Sequence, residues 1–183
     1  MQIKYFPNII SLFRLLLVIP FAYLFIHEQT KIAFYVFMLA ALSDGLDGWF
    51  ARYFNCQSEL GLILDPLADK ILIITSYVLL AVKAVLPLWF VGIVLLRDGA
   101  ILLGSFITLI ILQHQRPLSP SWLSKINTLL QMLQILLCLI ESAFHHIPHQ
   151  ILSSLLVLVL STSIISFFHY LYVWQKNLTS SHG

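Results

Sequence analysis

Residues 32–82 read IAFYVFMLAALSDGLDGWFARYFNCQSELGLILDPLADKILIITSYVLLAV. Two apolar blocks, Ile32 to Tyr53 and Leu60 to Val82, each carry aspartates and are each long enough to cross a bilayer, which takes about 20 residues at helical rise. The same pattern continues on both sides. A block from Pro7 to Ile26 precedes, closed by the polar stretch His27 to Lys31, and a block from Leu86 to Leu112 follows, with Lys83 and Pro87 marking the turn before it. Arg116, Pro117 and Pro120 end that helix, because proline lacks an N–H and pushes its predecessor out of the helical region. A fifth block runs from Trp122 to Ile140, and a sixth follows the His-rich loop Glu141 to Gln150 and reaches Trp174. The 183 residues are 60% hydrophobic and 10% charged, with a mean hydropathy of +0.93, whereas soluble domains are about a quarter charged. The predicted fold is all-α, an integral membrane bundle of six transmembrane helices that forms one domain over residues 1–183.

Charge sets the expected topology. Successive connections alternate sides, so Lys4, Arg52, Arg116, Lys125 and Lys176 fall on one side, and only Lys31 and Lys83 on the other. The positive-inside rule then puts both termini in the cytoplasm, where nucleotide-activated substrates occur. The net charge of +2 and the absence of a basic run exclude a nucleic-acid partner. Met1 to Phe6 lacks the pattern of a cleavable signal, so the membrane segments are expected to direct their own insertion. Cys56 and Cys138 fit neither a disulfide framework nor a thiolate metal site. His145, His146 and His149 read as a solvated loop, and Trp49, Trp89, Trp122 and Trp174 as aromatic anchors near helix ends.

The carboxylates are the anomaly. Asp44, Asp47, Asp65 and Asp69 lie in or beside apolar blocks, where an ionisable side chain costs several kcal/mol and marks function. Asp44 and Asp47 are three apart, and Asp65 and Asp69 four apart, so each pair projects from one helix face. Two unit charges about 4 Å apart repel by roughly 4 kcal/mol at an effective dielectric near 20, and divalent cations would relieve that repulsion. All-oxygen ligation selects magnesium, calcium or manganese, and magnesium completes its shell with water and substrate phosphates. Gly48, Ala51 and Gly61 sit one turn from these aspartates, which lets a bulky ligand reach the backbone. Small residues also let membrane helices pack closely, and Arg52 also suits a membrane anchor. A cation transporter is the competing class, although no inverted pair of interrupted helices is present.

Taken together, Asp44-x-x-Asp47-Gly48-x-x-Ala51-Arg52, eight residues, then Gly61-x-x-x-Asp65-x-x-x-Asp69 resembles the signature of the CDP-alcohol phosphatidyltransferases without departure. The resemblance implies transfer of a CDP-activated group to an alcohol with release of CMP. It implies that Asp44, Asp47, Asp65 and Asp69 hold two divalent cations (magnesium or manganese) on the diphosphate, and that Gly48, Ala51, Arg52 and Gly61 shape the nucleotide site. Asp69 is then also the general base. Asn8 and Arg14 in the first helix are expected to help bind the nucleotide or its phosphates. No Ser or Cys sits with an obvious base partner, so a single displacement without a covalent intermediate is expected.

Nearly the whole chain shares the likeness, and within the family it is similar to the CMP-forming cardiolipin synthases. Pro7-Asn8 through Leu12-Phe13-Arg14, Leu64 to Leu72, Arg97-Asp98, and Ser124-Lys125-Ile126-Asn127-Thr128 with Gln131 carry that similarity. Phosphatidylglycerophosphate synthases share the first three, but usually have a second Lys where this chain has Asn127. One fewer cation suits phosphatidylglycerol, with one negative charge, better than glycerol 3-phosphate with about two. The expected donor is CDP-diacylglycerol, the expected acceptor phosphatidylglycerol, and the expected acceptor-binding residues are Arg97, Lys125, Asn127 and His169. Arg97 has alternative partners in Asp98 and Glu141, Lys125 suits snorkelling from a helix end, and His169 suits interfacial packing. The resemblance also implies a homodimer in a bacterial inner membrane, with its active site facing the cytoplasm.

Overall fold

The computed structural model describes the backbone of residues 6–54, 59–111 and 122–180 and the side chains of 11–43, 67–104 and 122–175. Six helices follow one another: α1 (Phe6–Ile26), α2 (Thr30–Phe54), α3 (Glu59–Val82), α4 (Leu88–Ile111), α5 (Trp122–Phe144) and α6 (His149–Ser180). No strand occurs among the described residues. Of the helices, Trp122–Phe144 and His149–Gln175 are long and apolar enough to cross a membrane within the described residues, and Ser11–Ile26 and Thr30–Ser43 are apolar over shorter stretches.

The predicted blocks match these helices and differ from them at the ends. Helix α4 starts two residues late, at Leu88, since the carbonyl of Pro87 receives the N–H groups of Phe90 and Val91 at 3.1 and 3.2 Å. Helix α5 continues past Ile140 to Phe144, where an αL residue ends it: His145 has φ 54° and donates to the Glu141 carbonyl at 3.0 Å. Glu141, predicted in the loop, is a helical residue whose carboxylate accepts the Ile147 N–H at 2.7 Å. Helix α6 opens at His149, directly after Pro148, so that histidine belongs to a first turn, and the helix passes Trp174 to reach Ser180.

Two other helix ends are Schellman caps. At α1, Gln29 N–H donates to Leu24 at 2.9 Å and Glu28 N–H to Phe25 at 3.3 Å, with Glu28 at φ 64°. At α3, Val85 donates to Leu80 and Ala84 to Ala81, both at 2.9 Å, with Ala84 at φ 55°. Neither C′ residue is glycine, so each cap carries the steric cost of a Cβ in the left-handed region. Lys83 and Glu28 tie the two caps together at 3.3 Å.

The helices fall into two compact units. The first holds α1, α2, α3 and the part of α5 from Ile135 onward. Its α1 turns Ser11, Arg14, Val18, Phe21 and Phe25 inward, a three-four spacing that keeps one face buried. Phe21 meets Phe37 of α2 at 5.6 Å between ring centroids, while Ala33 and Ala40 let the two backbones approach. Buried hydroxyls bond within their own helix, as when Ser76 donates to the Leu72 carbonyl at 2.7 Å. The outward face of α1 carries Leu12, Phe13, Leu16, Ile19 and Tyr23, the reverse of a water-soluble helix and suited to lipid.

The second unit holds α4, α5 up to Gln134, and α6. Here α4 and α6 pack closely at Gly104, where an added Cβ would collide with the Tyr170 hydroxyl and meet the ring carbons at 3.0 Å. Gly104→Ala should therefore lower stability by about 1–3 kcal/mol, measured by thermal unfolding in detergent. Tyr170→Phe in that background removes the first collision and should recover part of the loss.

Candidate active site

The helical backbone of α2 runs through Asp44, Asp47, Gly48, Ala51 and Arg52, and that of α3 through Gly61 and Asp65. Their side chains, like that of Asn8 in α1, lie outside the described residues, and so does the convergence of the four carboxylates. Asp69 is described. It is half-buried and stands on the α3 stripe Asp69, Ile73, Ser76, Leu80, the last three of which are buried. Arg14, also expected near phosphate, is completely buried on the inward stripe of α1. Helices α1 and α3 pack on each other, so the interior of the first unit holds both a carboxylate and a guanidinium supplied by apolar helices. A carboxylate oxygen donor in that setting suits a hard divalent cation.

A second polar cluster fills the interior of the other unit. Arg97 and Asp98 on α4 are 4% and 2% exposed, and Arg97 Nη1 donates to Asp98 Oδ1 at 2.6 Å. Arg97 Nη2 donates to Ser124 Oγ on α5 at 3.1 Å and to Ser166 Oγ on α6. Gln131 Nε2 donates to the same Asp98 oxygen at 3.4 Å. One turn earlier on α5, Asn127 Oδ1 accepts the hydroxyls of Thr162 at 2.8 Å and Ser163 at 3.0 Å. The cluster thus joins three helices through one ion pair and a ring of amides and hydroxyls.

Of the four expected acceptor residues, Arg97 and Asn127 sit in this cluster. Lys125 is exposed, with Nζ 5.5 Å above the Trp122 ring, within cation–π range. His169 is exposed on α6, while its neighbour Tyr170 turns to Gly104. Gln131, Ser124 and Ser166 join the cluster without having been expected there. Asn127, Gln131 and Gln134 recur at helical spacing in an apolar segment, which was a readable signal; serines are ordinary in membrane helices, and Ser166 gave none.

Residues 4–173 fit the description CDP-alcohol phosphatidyltransferase. The chain belongs to that family. Among curated phosphatidyltransferase relatives, human cardiolipin synthase (CMP-forming) is 34% identical over 182 residues, covering 90% of this chain and 60% of that protein. A CDP-diacylglycerol–glycerol-3-phosphate 3-phosphatidyltransferase of Blochmanniella floridana is 34% identical over 142 residues, covering 72% of this chain and 73% of the relative. A putative cardiolipin synthase of Mycobacterium tuberculosis is 35% identical over 102 residues, covering 54% of this chain and 47% of that one. The chain spans about 60% of the length of the human and rat cardiolipin synthases that it matches.

Proposed function

We propose that this phosphatidyltransferase moves a phosphatidyl group from CDP-diacylglycerol to a hydroxyl of phosphatidylglycerol, forming cardiolipin and CMP. The similarity to human cardiolipin synthase across 90% of the chain carries this reading. The Blochmanniella relative favours a second reading, in which glycerol 3-phosphate is the acceptor. Charge favours the first. Asp98 lies 2.6 Å from Arg97 with both groups buried, so the guanidinium charge is largely offset, and Lys125 leaves about one net positive charge for the acceptor. A phosphodiester carries one negative charge and a phosphomonoester about two, and a buried excess charge is costly.

In the proposed reaction the acceptor hydroxyl oxygen bonds to the phosphatidyl phosphorus and CMP departs with the bridging oxygen. The hydroxyl proton passes to the Asp69 carboxylate. Asp44, Asp47, Asp65 and Asp69 would hold two divalent cations, magnesium or manganese, which when bound neutralise the diphosphate. Arg52 and Asn8 bind the nucleotide, and Gly48, Ala51 and Gly61 leave it room. Arg97, Lys125, Asn127 and His169 receive the acceptor headgroup. All six helices span a bacterial inner membrane, with the active site open sideways to lipid on the cytoplasmic side, and two copies pair as a homodimer.

Purified protein given CDP-diacylglycerol with phosphatidylglycerol and glycerol 3-phosphate in competition should release CMP and yield cardiolipin by mass spectrometry. EDTA should reduce CMP release to background, and magnesium or manganese should restore it. Phosphatidylglycerophosphate as the product would replace the acceptor, and no CMP with either alcohol would end the transferase reading.

A further inference from the structure

Gln131 is completely buried, and its Oε1 has no hydrogen-bond partner among the described residues. Its orientation is fixed chemically. Asp98 Oδ1, which takes Arg97 at 2.6 Å, also lies 3.4 Å from Gln131 Nε2. A carboxylate only accepts, so the amide nitrogen must face it, leaving Oε1 as a buried acceptor on the other side of the amide. An acceptor without a donor in an apolar bundle is costly and calls for an explanation. A hydroxyl can supply that donor, whereas a phosphate oxygen, itself an acceptor, cannot. A cation suited to phosphate, Arg97, shares the same carboxylate oxygen and has its own buried Nε without a partner among the described residues. A hydroxyl beside a phosphate is the chemistry of a glycerol headgroup.

We propose that Gln131 is a specificity-determining residue whose Oε1 accepts a hydrogen bond from the non-reacting secondary hydroxyl of a glycerol headgroup. The reacting primary hydroxyl must give its proton to a base, so the secondary one is left for the amide. The inference rests on the transferase reading above, and the diol comes from either phosphatidylglycerol or glycerol 3-phosphate.

The test gives the purified full chain CDP-diacylglycerol and four acceptors in parallel: phosphatidylglycerol, glycerol 3-phosphate, and the counterpart of each whose headgroup is 1,3-propanediol. The counterparts keep the reacting hydroxyl and lack only the secondary one. With whichever source the enzyme uses, the diol should be preferred in kcat/KM by at least about tenfold. Gln131→Met should bring that ratio to within about twofold, and so should Gln131→Asn, whose shorter chain withdraws the oxygen; either variant suffices if the other does not fold. A merely structural role would slow both acceptors alike and preserve the ratio, which would overturn the proposal. Equal use of diol and propanediol acceptors by the unaltered protein would overturn it without any variant. Absence of CMP with all four would instead remove the transferase reading, a result distinct from lost discrimination.

Discussion

Asp69→Asn should reduce CMP release by about 10³-fold while changing CDP affinity by less than about tenfold. The amide keeps the size of the carboxylate and one carbonyl oxygen, yet cannot take a proton at neutral pH. General-base removal alone accounts for about 10²–10⁴ in rate. Asp69 is half-buried, on the stripe of α3 that continues with the buried Ile73 and Ser76. Asp65→Asn, one turn earlier, should differ in kind: if that residue serves only to hold cation and nucleotide, CDP affinity and turnover fall together. Titration of CDP against both variants, beside single-turnover CMP release, separates the roles. Equal losses of CDP affinity would leave Asp69 a ligand only, like Asp65, and move the base elsewhere.

Much of this architecture is legible because apolar helices write themselves in runs of apolar residues. The six blocks read from residues 7–174 correspond to six helices, and the turn at Lys83 and Pro87 lies where Ala84 adopts φ 55°. The ends were less legible, for a physical reason. Glu141 to Phe144 looks like loop because it follows an apolar run with a charge and precedes histidines and a proline. The carboxylate of Glu141 instead closes the following turn onto Ile147, which periodicity cannot foretell. Asp69 and Arg97 stand out because a charge in an apolar block is conspicuous. Their surroundings are hidden, since Ser124, Gln131 and Ser166 are 27, 34 and 69 positions from Arg97 in the chain, and only folding brings them to one ion pair. The expected alternative for Arg97, a partner in Asp98, is what the structure contains. That contact offsets the guanidinium charge, and with it the charge that the proposed acceptor site would present.

The same pair sets the largest expected effect on stability. Asp98→Ala leaves the Arg97 guanidinium, 4% exposed, in an apolar bundle with hydroxyl acceptors from Ser124 and Ser166 but without the carboxylate. Breaking a buried ion pair from one side costs about 3–5 kcal/mol. Arg97→Leu should cost a comparable amount, because it takes the buried cation from Asp98 and a donor from both serines. Removing both charges together is a different matter: well-packed apolar replacements of a buried pair are often neutral or stabilising. Arg97→Leu with Asp98→Leu should therefore unfold later than either single variant, with a coupling above about 2 kcal/mol in a double-mutant cycle, measured by thermal unfolding in detergent. Singles that each cost under about 1 kcal/mol would mean that water reaches the guanidinium, and that the pair is not the desolvated unit from which the acceptor charge balance follows. A stable double variant that still binds CDP but no longer saturates with phosphatidylglycerol would tie this ion pair to acceptor recognition rather than to folding, since the fold would have survived its loss.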